Sequence, residues 1–304
     1  MKIKSYAPIL LFVYNRLEHT INTIEALKKN HLASESTLII ISDGAKNNSS
    51  QSEVDEVRDY IKTVTGFKSL EIVLQEKNLG LSENIITGVT KYINIYGKVI
   101  VLEDDLLSSE YFLLYMNEAL NLYEQNDNIW HISGWNYPIC SDGLSDTFLW
   151  KLMNCWGWAT WKNRWINFDK NPDKLINDFS KEDIYKFNLD GSYNFWSQVE
   201  ANKSGNKDTW AIFWYATIFI NGGWCLNPSD SLINNIGLDA SGTHRSLSKH
   251  YTTSLLDRKV NLEESTERNN NLAYSRIKNF FLKNYSFKAR LFRKVKYLYH
   301  MYCN

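Results

Sequence analysis

Short apolar runs alternate with segments of helical spacing through the first hundred residues. Pro8 to Tyr14 (PILLFVY), Leu38 to Ser42, Leu70 to Gln75 and Val99 to Leu102 are β-branched or aliphatic runs of the length expected for buried strands. Between them, Leu17 to Lys29 carries Ile21, Ile24 and Leu27 at helical intervals, and Glu53 to Val64 and Leu81 to Tyr96 read in the same way. Strand and helix in repeated alternation predict an α/β fold built on a mostly parallel sheet flanked by helices.

Each predicted strand ends in polar residues. Asn15-Arg16 follows the first, Asp43-Gly44 the second, Lys77-Asn78 the third, and Glu103-Asp104-Asp105 the fourth. In an open parallel sheet these carboxyl ends lie along one edge, where such folds bind ligands. Three adjacent acids repel one another unless a cation or hydrogen-bond donors compensate. Oxygen ligands of this kind suit a hard divalent ion such as Mg²⁺ or Mn²⁺, with Asp105 as the candidate direct ligand. The competing reading is that the acids cap a following helix, Ser108 to Gln125, whose amino end favours negative charge. The turn after the first strand, Tyr14-Asn15-Arg16-Leu17, contains no glycine, which excludes the glycine-rich turn of a dinucleotide site, and no Walker loop is present.

The pattern changes after the acids. Ile129 to Gly134 and Thr147 to Lys151 predict further strands, residues 172–207 are polar and helical, and Trp210 to Asn221 predicts a buried helix stopped by Gly222-Gly223. Trp224 to Asn227 predicts a short strand, and the Asn- and Ser-rich span from Asn227 to His250 a loop over the site.

Composition narrows the class. With 304 residues, 44% of them hydrophobic, the chain can bury a large core, and 34 basic against 34 acidic residues give no global attraction to nucleic acid. The four cysteines lack metal-ligand spacing, which predicts reduced thiols, and no apolar stretch reaches the roughly 20 residues of a membrane span. The chain has 11 Trp and 18 Tyr, the Trp all lying between Trp130 and Trp224, and aromatic faces serve sugar rings as well as cores.

PILLFVYNR (Pro8 to Arg16), SDG (Ser42 to Gly44), KNLGL (Lys77 to Leu81), KVIVLEDDL (Lys98 to Leu106), WHISGWN (Trp130 to Asn136), WGWATWK (Trp156 to Lys162), DTWA (Asp208 to Ala211) and NNIGLDASGTH (Asn234 to His244) follow one another in order. On these stretches the chain resembles bacterial family 2-like glycosyltransferases of the GT-A fold. It is also distantly similar to the Golgi N-acetylglucosaminyltransferase that initiates complex N-glycans. The resemblance implies a Rossmann-like GT-A catalytic domain over residues 1–250 and an inverting, metal-dependent transfer of a sugar from a nucleotide donor, a UDP-sugar favoured, to a glycan. The acceptor would be a lipid-linked surface polysaccharide such as O-antigen or capsule.

The same resemblance implies roles by position. Arg16 and Asp43 would contact the nucleotide, Lys77 and Asn78 the nucleotide or diphosphate, and Glu103 and Asp104 the ribose, sugar and metal. Asp105 and His244 would bind Mn²⁺ or Mg²⁺. Asp208, at the start of the buried helix, would be the general base, although it stands two positions before Trp210 rather than directly before the family's tryptophan. Trp156, Trp158 and Trp161 would offer a sugar platform or fill the core.

From Arg276 to Asn304 there are eight Lys or Arg and no Asp or Glu, interleaved with Ile277, Phe280, Phe281, Leu282, Phe287, Leu291, Phe292, Val295 and Leu298. Within the segment 251–304, read as a linker and tail, this pattern predicts a basic amphipathic helix for an anionic membrane surface or one that packs on the domain. A cytoplasmic protein peripheral to the inner face of a bacterial plasma membrane is the corresponding expectation. Two other function classes fit parts of the pattern. One is a sugar-1-phosphate nucleotidyltransferase, which would need a glycine-rich, basic first loop; the other is a non-catalytic carbohydrate-binding module using the Trp cluster.

Overall fold

The computed structural model describes residues 5–238, 249–264 and 270–285. The first half is the alternation expected: β1 (Ile9–Val13), α1 (Leu17–Lys28), β2 (Thr37–Ser42), α2 (Gln51–Ile61), β3 (Ser69–Leu74), α3 (Leu81–Tyr96) and β4 (Lys98–Glu103). β1 is flanked by β2 and β4, both parallel to it, and β3 lies outside β2, also parallel. The pairing Phe12↔Glu103 and Val13↔Ser42 aligns the strand ends, so the residues that follow β1, β2 and β4 emerge side by side.

β5 (Leu106–Ser108) and α4 (Phe112–Leu122) follow the acids, then β6 (Ile129–Ser133), β7 (Thr147–Trp150), β8 (Trp158–Trp161) and α5 (Lys162–Trp165). Next come α6 (Pro172–Asp178), α7 (Lys181–Phe187), α8 (Trp196–Lys203), α9 (Ala211–Ile220), β9 (Trp224–Pro228), β10 (Ile233–Asn235) and α10 (Asn271–Tyr285). The main sheet runs β3-β2-β1-β4-β8-β6-β9-β7, and β8 is antiparallel to both neighbours. The sheet is therefore parallel on one side and mixed on the other. β10 pairs antiparallel with β5, so part of the span expected to be loop is a strand that returns to the residues just after the acids.

Three sequence expectations change here. The acids do not cap a helix: β5 intervenes, and α4 begins only at Phe112 with Tyr111 as its N-cap. Trp158 offers no sugar platform. It lies within β8, is 1% exposed, and stacks on His131 and Trp210 with ring centroids 5.5 and 5.1 Å away. Trp161 is equally buried and donates from Nε1 to the Leu120 carbonyl at 3.1 Å, whereas Trp156, partly buried, sets its ring edge-on to Trp135. A strand crossing the middle of a sheet is covered on both faces, so its indoles have no route to solvent.

The third change concerns the tail. Ala273, Ile277, Phe280 and Phe281 of α10 are buried in the same core as the sheet, with Phe281 against Tyr137, Tyr193 and Phe195. Arg276 donates to the Cys140 and Asp142 carbonyls and Lys278 pairs with Asp190, which fix the helix on its polar side. Val260 is buried and Tyr251, Leu256 and Leu262 pack against the core as well. Over 276–285 the apolar face thus covers the domain and is not free for a membrane; residues 286–304 lie outside the described residues. Among the described residues no helix is long and apolar enough to cross a membrane.

Candidate active site

The carboxyl edge of β1 to β4 collects three structures: an acid cluster, a carboxylate-organised loop, and a covering segment. Asp104 and Asp105 follow β4, while Arg16, the N-cap residue of α1, follows β1. Because β1 and β4 are neighbours, the Arg16 guanidinium reaches both acids. Its Nη2 donates to Asp104 Oδ1 and, at 2.9 Å, to Asp105 Oδ2. Thr23 of α1 donates to the Asp104 carbonyl at 2.7 Å, which fastens the helix to the acid turn.

The electrostatics follow from this packing. Burial raises the Asp104 carboxyl above its ordinary range and so does the Asp105 charge, against a downward pull from Arg16. The Glu103 carboxyl is pushed up by burial first and then by Asp105 and Asp104, and it has no side-chain hydrogen bond among the described residues. Burial alone would pull Arg16 down, but the charges and hydrogen bonds of the two aspartates outweigh it and raise its pKa. The Cys155 thiol, near Glu103, is pushed up to about 12 by burial and by that carboxylate, so it is a neutral neighbour.

Asp43 organises the next loop. Its buried carboxylate accepts from the backbone N–H of Gly44 (2.9 Å), Leu79 (2.8 Å) and Gly80 (3.0 Å) and from Asn78 Nδ2 (3.0 Å). Asn78 Nδ2 also donates to the Gly44 carbonyl at 2.8 Å. Both residues expected at the nucleotide are therefore engaged with each other, and their observed work is to hold residues 78–80 in place. Lys77 is exposed on the edge of this loop.

Asp208 is not in the helix it was expected to open. α9 begins at Ala211 with Trp210 as N-cap, and Asp208 stands outside, its side chain 66% exposed and paired with Lys170. Lys170 in turn donates to Ser82 Oγ at 2.8 Å, in the first turn of α3, two residues beyond the Asp43-held Gly80. Asp208 is thereby tied to the same sheet edge as the acids. His244 lies outside the described residues.

Sequence reasoning did not find three residues that shape this edge. Arg58, in the last turn of α2, donates to Ser42 Oγ (3.2 Å) and to the Asp43 (3.2 Å) and Gln75 (2.7 Å) carbonyls, joining the ends of β2 and β3. Lys170 belongs to a polar stretch with no motif. Gly237 follows β10 and lies so close to the acids that a Cβ there would fall 2.0 Å from Asp105 Oδ2 and 2.9 Å from Arg16 Nη1. The neighbouring Ile236 N–H donates to the Asp105 carbonyl at 2.9 Å. The glycine in NNIGL was the available signal, since an invading backbone admits no side chain.

The donor set suits a hard divalent cation. Asp104 and Asp105 both point an oxygen at a single atom, Arg16 Nη2, so a cation is already seated between them. Among the described residues no group of three His, Cys, Asp or Glu is arranged around one point. Two carboxylates are what Mg²⁺ or Mn²⁺ ordinarily takes from a protein when phosphate oxygens and waters complete its shell.

No protein-family model matches this sequence, and no curated protein does. Solved structures show distant similarity. They include the mannosyltransferase PcManGT of Pyrobaculum calidifontis in complex with GDP-Man and Mn²⁺, at 8% identity, covering 73% of this chain and 70% of that one with a TM-score of 0.41. A putative nucleotide-diphospho-sugar transferase of Desulfovibrio desulfuricans G20 aligns at 13% identity over 53% of this chain and 65% of its own, TM-score 0.34. TarS of S. aureus aligns at 12% identity over 42% of this chain and 22% of its own, TM-score 0.30.

Proposed function

We propose that this chain is a metal-dependent, inverting glycosyltransferase that moves a sugar from a nucleoside-diphosphate donor, a UDP-sugar favoured, to a glycan acceptor such as a lipid-linked surface polysaccharide. One observation carries the reading: two aspartates converge on a single cation position at the carboxyl edge of parallel strands, next to a loop whose backbone N–H groups are gathered on the Asp43 carboxylate. Asp104 and Asp105 would hold Mn²⁺ or Mg²⁺, with His244 a candidate further ligand. The metal would supply neutralisation of the charge that develops on the departing diphosphate.

The remaining roles fall to the chain's own groups. Arg16 and Lys77 offer positive charge to the diphosphate, and the loop at 78–80, kept in shape by Asp43, forms the wall beside the nucleotide. Glu103, whose carboxyl is pushed up by burial and by its two neighbours, suits a hydrogen bond to a ribose or sugar hydroxyl. Asp208 would take the proton from the acceptor hydroxyl as that oxygen attacks the anomeric carbon on the face opposite the leaving group. Its exposure leaves it open to an incoming acceptor, and its ion pair with Lys170 holds it at the sheet edge.

The burial of Trp158 and Trp161 takes two of the three indoles of the Trp cluster out of reach of a sugar ring, which favours a transferase over a carbohydrate-binding module. The test is a panel of nucleotide sugars with Mn²⁺ and glycan acceptors. Release of nucleoside diphosphate only when donor, acceptor and metal are all present, with product of inverted anomeric configuration by NMR, is the expected result. Pyrophosphate release from a nucleoside triphosphate and a sugar phosphate would instead identify a nucleotidyltransferase and overturn the reading.

A further inference from the structure

The acid cluster already holds a cation, and that cation belongs to the protein. Arg16 Nη2 bridges Asp104 and Asp105, the three side chains being 20%, 6% and 14% exposed, so little water screens the contact. From the other side the backbone at Gly237 closes on Asp105 Oδ2 and Arg16 Nη1, and only a residue without a Cβ fits there. A divalent ion entering between the two carboxylates would meet the guanidinium at van der Waals distance, two like charges in a poorly hydrated space. Arg16 cannot be neutralised to make room, since a guanidinium keeps its charge at any working pH. It can only leave, and a partly buried, paired guanidinium leaves readily only toward another anion.

We infer that Arg16 is an exchangeable counter-cation: it guards Asp104 and Asp105 against a metal arriving alone and transfers its hydrogen bonds to the diphosphate when metal and nucleotide arrive together. This rests on the glycosyltransferase reading and adds a binding order to it. Arg16 then acts as a positioning residue that makes metal affinity conditional on the anionic ligand. The coupling is reciprocal, so the diphosphate must tighten the metal by the factor with which the metal tightens the diphosphate.

The experiment is Mn²⁺ binding to the purified full chain, followed by loss of the free Mn²⁺ electron paramagnetic resonance signal, without nucleotide and with UDP or GDP. In the wild type, Mn²⁺ alone is expected to bind at least about tenfold more weakly than with the preferred diphosphate. Arg16→Gln, which keeps hydrogen-bond donors but no charge, is expected to bind Mn²⁺ alone more tightly than the wild type and to lose most of the tightening by diphosphate. Arg16→Lys keeps the charge and is expected to keep weak binding of Mn²⁺ alone. An Arg16→Gln protein that binds Mn²⁺ alone no more tightly than the wild type overturns the inference. If that variant does not fold, the wild type still decides: equal Mn²⁺ affinity with and without diphosphate also overturns it. Failure of the glycosyltransferase reading is seen separately, as no sugar transfer from any nucleotide sugar in the panel whatever Mn²⁺ does.

Discussion

Asp43 accepts the backbone N–H of Gly80 at 3.0 Å, a bond that spans from the end of β2 to the residue preceding α3. With the bonds from Gly44, Asn78 and Leu79 it makes one carboxylate the anchor of the loop at 78–80. Asp43→Ala leaves those donors without their acceptor at a site where Asp43 itself is 5% exposed. The expected cost is about 3 kcal/mol of stability, measured as a lowered urea midpoint, with loss of nucleotide binding. Full nucleotide affinity in this variant would mean that the loop holds its shape unaided.

Two further aspartates should separate in their effects. Asp105→Asn removes charge from the cation position, so metal-dependent donor binding by calorimetry is expected to disappear. Asp208→Asn leaves that position intact, and donor binding should persist while turnover falls by roughly 10²- to 10⁴-fold, the usual contribution of a general base. Equal loss of donor binding in both variants would remove Asp208 from the role of base.

His131 gives the fold an acid limit. Its ring is fully buried, its Nε2 donates to the Asn154 carbonyl at 3.0 Å, and its Nδ1 accepts from Trp214 Nε1 at 3.2 Å, so both nitrogens are matched to the neutral form. Burial lowers its pKa to about 3, against an upward pull from the Asn154 carbonyl. The folded pKa lies below the unfolded one, so between about pH 6.5 and 3 the unfolded chain binds the extra proton, and stability falls as pH falls through that window. At about 1.4 kcal/mol per pH unit, this one group should cost about 2 kcal/mol between pH 6.5 and 5. His131→Gln, compared with the wild type by urea melts at both pH values, should be the less pH-sensitive protein even if it is the less stable one.

α10 should behave as part of the domain. Phe281 is 1% exposed and touches Tyr137, Tyr193 and Phe195, so Phe281→Ala is expected to destabilise the fold by about 3 kcal/mol. Truncation before Asn271 should lower the melting temperature and expose the aromatic patch around Tyr137, detected as binding of an apolar dye. An unchanged melting temperature after truncation would return residues 276–285 to the role of a free amphipathic helix.

Much of the first half was legible because its signals are local. Ile9 to Val13 and Val99 to Leu102 are apolar throughout, α3 matches its predicted span from Leu81 to Tyr96, and the polar residues after each strand mark the carboxyl edge of the sheet. WGWATW was ambiguous because a buried antiparallel strand and an exposed aromatic platform use the same residues. Its partners in β4 and β6 decided the matter, since Trp158 pairs with Val101 and Ser133. Phe280 and Phe281 were ambiguous in the same way, since an apolar helix face does not name the surface that covers it.

By itself, the sequence determined where strands end and which charged groups stand at those ends, because strand periodicity and the cost of adjacent carboxylates act between near neighbours along the chain. Only the tertiary structure decided that Arg16, 89 positions from Asp105, is the cation those carboxylates hold, and that Gly237 seals the pair. Charge compensation acts over a few ångströms of space whatever the separation in sequence, so the partner of an acid is chosen by strand order and register.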